Sequence, residues 1–309
     1  MIGPRRQHAL LRPGIAIPFL IIALIWGSTW FVIRDQLAAA PPSWSVAYRF
    51  GIATICMFAL ASRLRRGFTM TVGGHLMAFG IGVFQFFLNF NFVYRAELHI
   101  TSGIVAVLFA MLMVPNALLG RVFLGIEITG RFVWGTLIAL AGIVLLLMHE
   151  SLAAPVGGQV ELGIALTVLG ICSASIANVM QASRTAMGRP LMLLLAWAML
   201  WGTLFDVTFA WAVAGAPVFP TDPRYWLGVG FLAVLGSVVA FPLYFGLIRH
   251  LGPGRAAYNG VLVPVVAMAL STLFEGYEWG GLAIGGAALA LIGLVIALRG
   301  RNIGKPELD

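Results

Sequence analysis

Residues 103–147 recur without a gap at residues 254–298. Displacing the chain by 151 positions pairs Gly103 with Gly254, Gly125 with Gly276, Glu127 with Glu278, Gly130 with Gly281, Gly135 with Gly286, Ala139 with Ala290 and Gly142 with Gly293, and fourteen of the forty-five columns are identical. A chain rich in Gly, Ala, Leu and Val would match itself at about three or four of them by chance, so the repeat is read as a duplicated structural unit. Any fold for this chain must therefore be one that can be built twice.

The unit is membrane-embedded. Hydrophobic residues make up 61% of the 309 and charged residues 10%, and the mean hydropathy of +0.98 lies outside the range of soluble domains. Ten apolar runs follow one another at about 15–33, 43–62, 76–94, 100–120, 132–149, 162–183, 191–214, 226–248, 256–274 and 281–298. At 1.5 Å per residue, each reaches across roughly 30 Å of hydrocarbon. The expected fold is an all-α polytopic membrane protein of ten transmembrane helices. The 151-residue offset lays runs 4 and 5 on runs 9 and 10, so each half holds five helices. Five is odd, and the second copy enters the membrane upside down, as an inverted repeat. The expected organisation is a cytoplasmic segment at 1–14, a first five-helix repeat at 15–150, a second at 151–298 and a cytoplasmic tail at 299–309.

The formal charge of +8 suggests nucleic acid, but the placement of the basic residues argues otherwise. With the amino terminus in the cytoplasm, fifteen Lys and Arg fall on the cytoplasmic side, three (Arg34, Arg95, Arg224) fall outside, and Arg49 stays in the membrane. The excess is an orientation signal that puts both termini in the cytoplasm, and no nucleic-acid partner is expected. The first run is longer than a signal-peptide core and carries Trp26 and Trp30, so it is read as a retained helix despite Ala38-Ala39-Ala40. Cys56 and Cys172 each lie inside an apolar run, without CxxC spacing, and read as small buried hydrophobes.

Motifs for catalysis or cofactors do not occur. The five histidines sit near run ends with no HExxH or HxxxH pair, and neither GxSxG nor GxxxxGK[ST] is present. No metal and no cofactor is expected.

Polar residues within the runs are the candidates for function. Arg49 stands about two turns into run 2, where it either snorkels to the interface or lines a wet cavity. Run 3 carries Gln85, Asn89, Phe90 and Tyr94, whose amides either join neighbouring helices or dot the wall of a pocket for an amphiphile. Asp206 is the acid near the middle of a run, a functional candidate or a structural hydrogen-bond partner. Pro115 in run 4 and Pro264 in run 9 bend helices of equal rank in the two halves, which points to a site between them. The Gly-x-x-x-Ala-x-x-Gly stripes of runs 5 and 10 predict close packing, of each on the other.

Trp26-Gly27-Ser28, Arg49, Leu124-Gly125-Ile126-Glu127 with Gly135 and Gly142, and Glu275-Gly276-Tyr277-Glu278 with Gly286 and Gly293, in this order and spacing, resemble the EamA family of the drug/metabolite transporter superfamily. The resemblance covers about Ile15 to Leu298 and is nearest to bacterial aromatic amino acid exporters. It implies a secondary transporter in the inner membrane that exports small metabolites, often amino acids, through a central cavity. The sequence departs from the family where Met113 stands at the position equivalent to Pro264. On this reading Trp26, Phe90, Tyr94, Tyr244 and Tyr258 supply faces for an apolar side chain. Ser28, Asn89, Asn178 and Asn259 bond amino and carboxylate groups, and Arg49 and Asp206 supply cavity or coupling charge. The partners are an amino-acid-like solute and the lipid bilayer, and one chain suffices. The alternative is an intramembrane or lipid-modifying enzyme in which Arg49 and Asp206 meet.

Overall fold

A computed structural model describes residues 13–63, 67–153, 159–251, 259–274, 276 and 278–299, and these residues are all-α, with no strand among them. The long helices are α1 (Pro13–Gln36), α2 (Pro42–Arg63), α3 (Val72–Ala96), α4 (Ser102–Leu124), α5 (Gly130–Ala153), α6 (Val160–Gln181), α7 (Leu191–Ala214), α8 (Pro223–Ile248), α9 (Asn259–Phe274) and α10 (Gly281–Arg299). Among the described residues, seven helices are long and apolar enough to cross a membrane (α1 to α4 and α6 to α8), and Gly130–Leu146 and Gly281–Gly293 are apolar over shorter lengths. Ile55, Val122 and Leu227 are each more than 70% exposed, which water would penalise and lipid does not. The chain is a multi-pass membrane protein.

Helix ends follow local chemistry at places where the sequence repeats. Thr71 Oγ1 accepts from the Gly74 amide at the start of α3, and 151 residues later Asp222 Oδ1 accepts from the Arg224 amide at the start of α8. Gly125 at φ 67° and Gly276 at φ 68°, again 151 apart, hold the left-handed conformation that only glycine adopts without penalty, just beyond α4 and α9. These caps lie outside the apolar runs, so α3 and α8 begin earlier than hydropathy predicts.

The broad helix contacts join the two halves of the sequence: α5 with α10, α2 with α7, α1 with α9, α4 with α6, and α3 with both α6 and α7. The α5–α10 contact is reciprocal. A Cβ added to Gly142 would stand 2.5 Å from the Gly286 carbonyl oxygen, and one added to Gly293 would stand 2.5 Å from the Gly135 carbonyl oxygen. The small-residue stripes thus face each other as expected, with no room for a methyl group.

Among the described residues, three helices depart from α geometry. In α3, residues Gly82–Asn89 form a π segment, and in α8 Val234–Val239 do the same, where the 151-residue offset would put it. Ser237 Oγ donates to the Leu232 carbonyl five residues back, the spacing of a π turn. In α4 the stretch Ala110–Leu112 tightens into a 3₁₀ turn just before Met113, the equivalent of Pro264. Pro115 has no N–H for the Met111 carbonyl four residues back, in the middle of that turn, so the disturbance lies where this proline places it. Cys56 is half-buried, while Cys172 is exposed rather than buried because it lies on the α6 face turned away from its neighbours.

Candidate functional site

A cavity of about 140 Å³ opens between the halves. α1 contributes Trp26, Thr29, Trp30 and Ile33; α3 contributes Gln85, Asn89, Phe90 and Val93. α4 adds Phe109, Met113 and Asn116 with the atoms of its 3₁₀ turn, and α6 adds Ala174 and Asn178. Phe241 and Tyr244 come from α8, and Asn259, Gly260, Val263 and Pro264 from α9. Arg49 enters from α2.

The distortions help to shape this wall. The π segment of α3 ends at Asn89 and Phe90, that of α8 ends just before Phe241, and the 3₁₀ turn of α4 supplies Ala110 and Leu112. Pro264 has no N–H to offer the Gly260 carbonyl four residues back, so α9 lacks that bond where it lines the cavity.

One side of the cavity is aromatic. Trp26 lies 4.8 Å from Tyr244 and 5.5 Å from Phe241, ring centre to ring centre, and Phe90 lies 6.3 Å from Phe241. Trp26 Nε1 donates to the Gly236 carbonyl at 3.3 Å, which ties α1 to the π segment of α8 and fixes the indole plane. Trp30 stacks obliquely on Phe109 at 5.2 Å.

The polar atoms of the wall are sparse and short of partners. Asn89 Oδ1, Asn116 Oδ1, Asn259 Oδ1, Trp30 Nε1 and Arg49 Nη1 are buried without a hydrogen bond. Buried polar groups in folded proteins are nearly always bonded, so these five are the groups on this wall that a solute or water could satisfy. Asn259 Nδ2 donates to the Phe19 carbonyl of α1 at 3.3 Å, and Asn89 Nδ2 donates to the Gln85 carbonyl at 3.4 Å. These bonds use the amide nitrogens and leave the two amide oxygens without a partner.

Of the residues expected at the site, Trp26, Asn89, Phe90, Asn178, Tyr244, Asn259, Arg49 and Pro264 come together in this cavity. Ser28 does not reach it, since its hydroxyl donates to the Leu24 and Ile25 carbonyls of its own helix. Tyr94 is fully buried outside the lining, its hydroxyl donating to Gln36 Oε1 at 3.3 Å. Pro115 stands beside the wall, and its neighbour Asn116 faces in. Tyr258 lies outside the described residues. Asp206 is buried elsewhere, between α7 and α3, where Oδ1 accepts from Asn91 Nδ2 at 2.7 Å and Asn91 Oδ1 accepts from Arg95 Nη1 at 2.9 Å. Among the described residues, the hydrogen bonds of Arg49 and of Asp206 run to Ser237 and to Asn91, on different helices, and not to each other. Thr29, Phe109 and Phe241 were not singled out by sequence. Phe241 could have been found three residues before Tyr244 on one helix face, whereas nothing marks Phe109 within a continuous apolar run.

A helical membrane protein whose two halves enclose an amphiphilic cavity belongs to the transporters in its architecture, and sequence comparison agrees. The profile of the EamA-like transporter family matches residues 14–148 and again 161–299, and the chain belongs to that family. It is similar to the "Uncharacterized inner membrane transporter YedA" of Escherichia coli K12, at 31% identity over 87% of this chain and 86% of the relative. A "Probable amino-acid metabolite efflux pump" of the same organism is 25% identical over 91% of this chain and 93% of its own length. A "Probable terminal-alkyne amino-acid exporter" of Streptantibioticus cattleyicolor is 26% identical, covering 94% of this chain and 95% of that one. A solved crystal structure of a protein with 20% sequence identity superposes over 92% of this chain and 96% of its own at a TM-score of 0.67, a likeness of fold.

Proposed function

We propose that this chain exports small amphiphilic metabolites, amino acids with apolar or aromatic side chains, from the cytoplasm across the inner membrane by alternating access. The carrying observation is the central cavity, where aromatic faces and unpartnered amides meet between the two halves of the chain. Such a lining suits a solute with an apolar body and a polar end. The printed names of the E. coli and S. cattleyicolor relatives support the amino-acid class, and that of YedA supports the inner membrane.

In this reading residues 15–150 and 151–298 are two five-helix repeats in opposite orientation, with both termini in the cytoplasm. The paired caps at Thr71 and Asp222, the left-handed glycines at Gly125 and Gly276, and the reciprocal packing of Gly142 and Gly293 support the repeat. The excess of basic residues on one side supports the orientation. Two conformations of equal design, related by exchange of the halves, would open the cavity first to one side and then to the other.

The test is efflux from cells loaded with a labelled aromatic dipeptide, which cytoplasmic peptidases hydrolyse to free amino acid. Cells expressing the protein should release the amino acid several-fold faster than empty cells. Equal release would remove the amino-acid reading.

A further inference from the structure

Among the described residues, Arg49 is the charged residue of the cavity wall, and one of its guanidinium nitrogens has no hydrogen-bond partner. The side chain is 1% exposed, and α2, which carries it, contributes nothing else to the lining. Nε donates to Ser237 Oγ at 3.2 Å, and the guanidinium carbon lies 4.4 Å from the ring centre of Phe90 and 5.2 Å from that of Phe50. Nη1 has no hydrogen-bond partner. The Tyr94 hydroxyl is a further hydrogen-bond partner of the guanidinium, and the Glu97 carboxylate at the end of α3 attracts it.

A buried cation is retained when it is paired or when it binds something, and two hydroxyls, two rings and the attraction of Glu97 still leave Nη1 without an acceptor. The cation–π contact to Phe90 orients the guanidinium without neutralising it. What is missing is an anion with planar acceptor oxygens, which a guanidinium binds by parallel hydrogen bonds. Trp30 Nε1, a second buried donor on the same cavity without a partner, adds to the demand for acceptor oxygens. The aromatic side of the cavity, formed by Trp26, Phe241 and Tyr244, leaves the rest of the ligand apolar.

We propose that Arg49 anchors the carboxylate of the transported molecule, so that the cavity selects solutes bearing one carboxylate on an apolar or aromatic body. The amino group is secondary. When present, it meets the unpartnered amide oxygens among Asn89, Asn116 and Asn259; when absent, the acid still binds. An amide or an amine of the same shape places no negative charge against Arg49 and is rejected, and a dicarboxylate leaves one charge without a counter-ion. The proposal deepens the export reading at the same site, yet its binding chemistry can be tested without transport.

The experiment measures equilibrium binding to the full chain in lipid nanodiscs, with L-phenylalanine, 3-phenylpropanoate and 3-phenylpropanamide as ligands. The two acids should bind, and the amide should bind at least tenfold more weakly. Arg49→Gln should weaken 3-phenylpropanoate by tenfold or more, with Arg49→Lys intermediate. The comparison of acid with amide uses the unmodified protein, so the test survives if a variant fails to fold. An amide that binds as tightly as the acid, or no binding of either, overturns the proposal. Uptake of labelled phenylalanine and phenylalaninamide by proteoliposomes separates the two levels. Acids that bind without being carried refute export and leave the anchor standing; equal carriage of the amino acid and its amide refutes the anchor and leaves export standing.

Discussion

Gly142 and Gly293 occupy corresponding places in one contact, each pressed against the backbone of the helix that carries the other, with the Gly286 and Gly135 carbonyl oxygens 2.5 Å from where their missing Cβ atoms would be. These helices approach backbone to backbone, and a side chain at either position must separate them. Gly142→Leu and Gly293→Leu should each destabilise the protein by at least the ~1–3 kcal/mol typical of overpacking. Gly285→Ala, on the same helix as Gly293 with nothing within 4 Å, should be close to neutral. Thermal unfolding in detergent checks this, and equal effects for all three would refute the close approach.

The left-handed glycines make a second paired case. A Cβ at Gly125 or Gly276 meets nothing within 4 Å, so any cost of substitution is conformational. Alanine at either position should lower stability by about 1 kcal/mol, and asparagine by less, since it tolerates this region better. The same thermal measurement applies, with Gly130→Ala, which also has open space around it and no positive φ, as the control.

Sequence alone made these packing features legible, because glycine and alanine at helical spacing have few other uses in a membrane. The repeat, the helix order and most of the cavity's helices were legible for the same reason: periodicity and proline are local signals. The direction of a single side chain was not. Whether Arg49 snorkelled or turned inward depended on Ser237 and Phe90 meeting it from α8 and α3. Ser28 looked like a pocket residue, but its hydroxyl found carbonyls one turn back on its own helix. The π segments of α3 and α8 have no sequence signature, whereas the α4 distortion at Ala110–Leu112 is centred four residues before Pro115, the proline that sequence singles out.

Ser28 and Trp26, two residues apart, should therefore behave differently. Trp26→Ala removes an indole that packs on Tyr244 and Phe241, and should reduce phenylalanine export roughly tenfold, in line with the ~1–3 kcal/mol reached by buried aromatic contacts. Ser28→Ala should leave export within about twofold, because a helix-internal hydroxyl bond contributes little net stability. Initial efflux rates normalised to protein in the membrane decide the matter.

Asp206, Asn91 and Arg95 form a chain of hydrogen bonds that holds α3 on α7 away from the cavity. Asparagine can still accept from Asn91, so Asp206→Asn should keep the fold and most of the export. Asp206→Leu leaves Asn91 Nδ2 only its bond to the Phe87 carbonyl and leaves one buried N–H unpaired, at a cost of about 1–3 kcal/mol. Melting temperature together with export rate separates this from a coupling role. A stable Asp206→Asn protein that no longer exports would assign Asp206 to transport itself.

The measurement that bears most directly on the account is counterflow. Proteoliposomes are loaded with unlabelled phenylalanine and diluted into a trace of labelled phenylalanine. A cavity that opens to each side in turn predicts a transient accumulation of label above equilibrium, abolished by Arg49→Gln and preserved by Ser28→Ala. Label that only approaches equilibrium, or enters no faster than into protein-free liposomes, would contradict alternating access through this cavity.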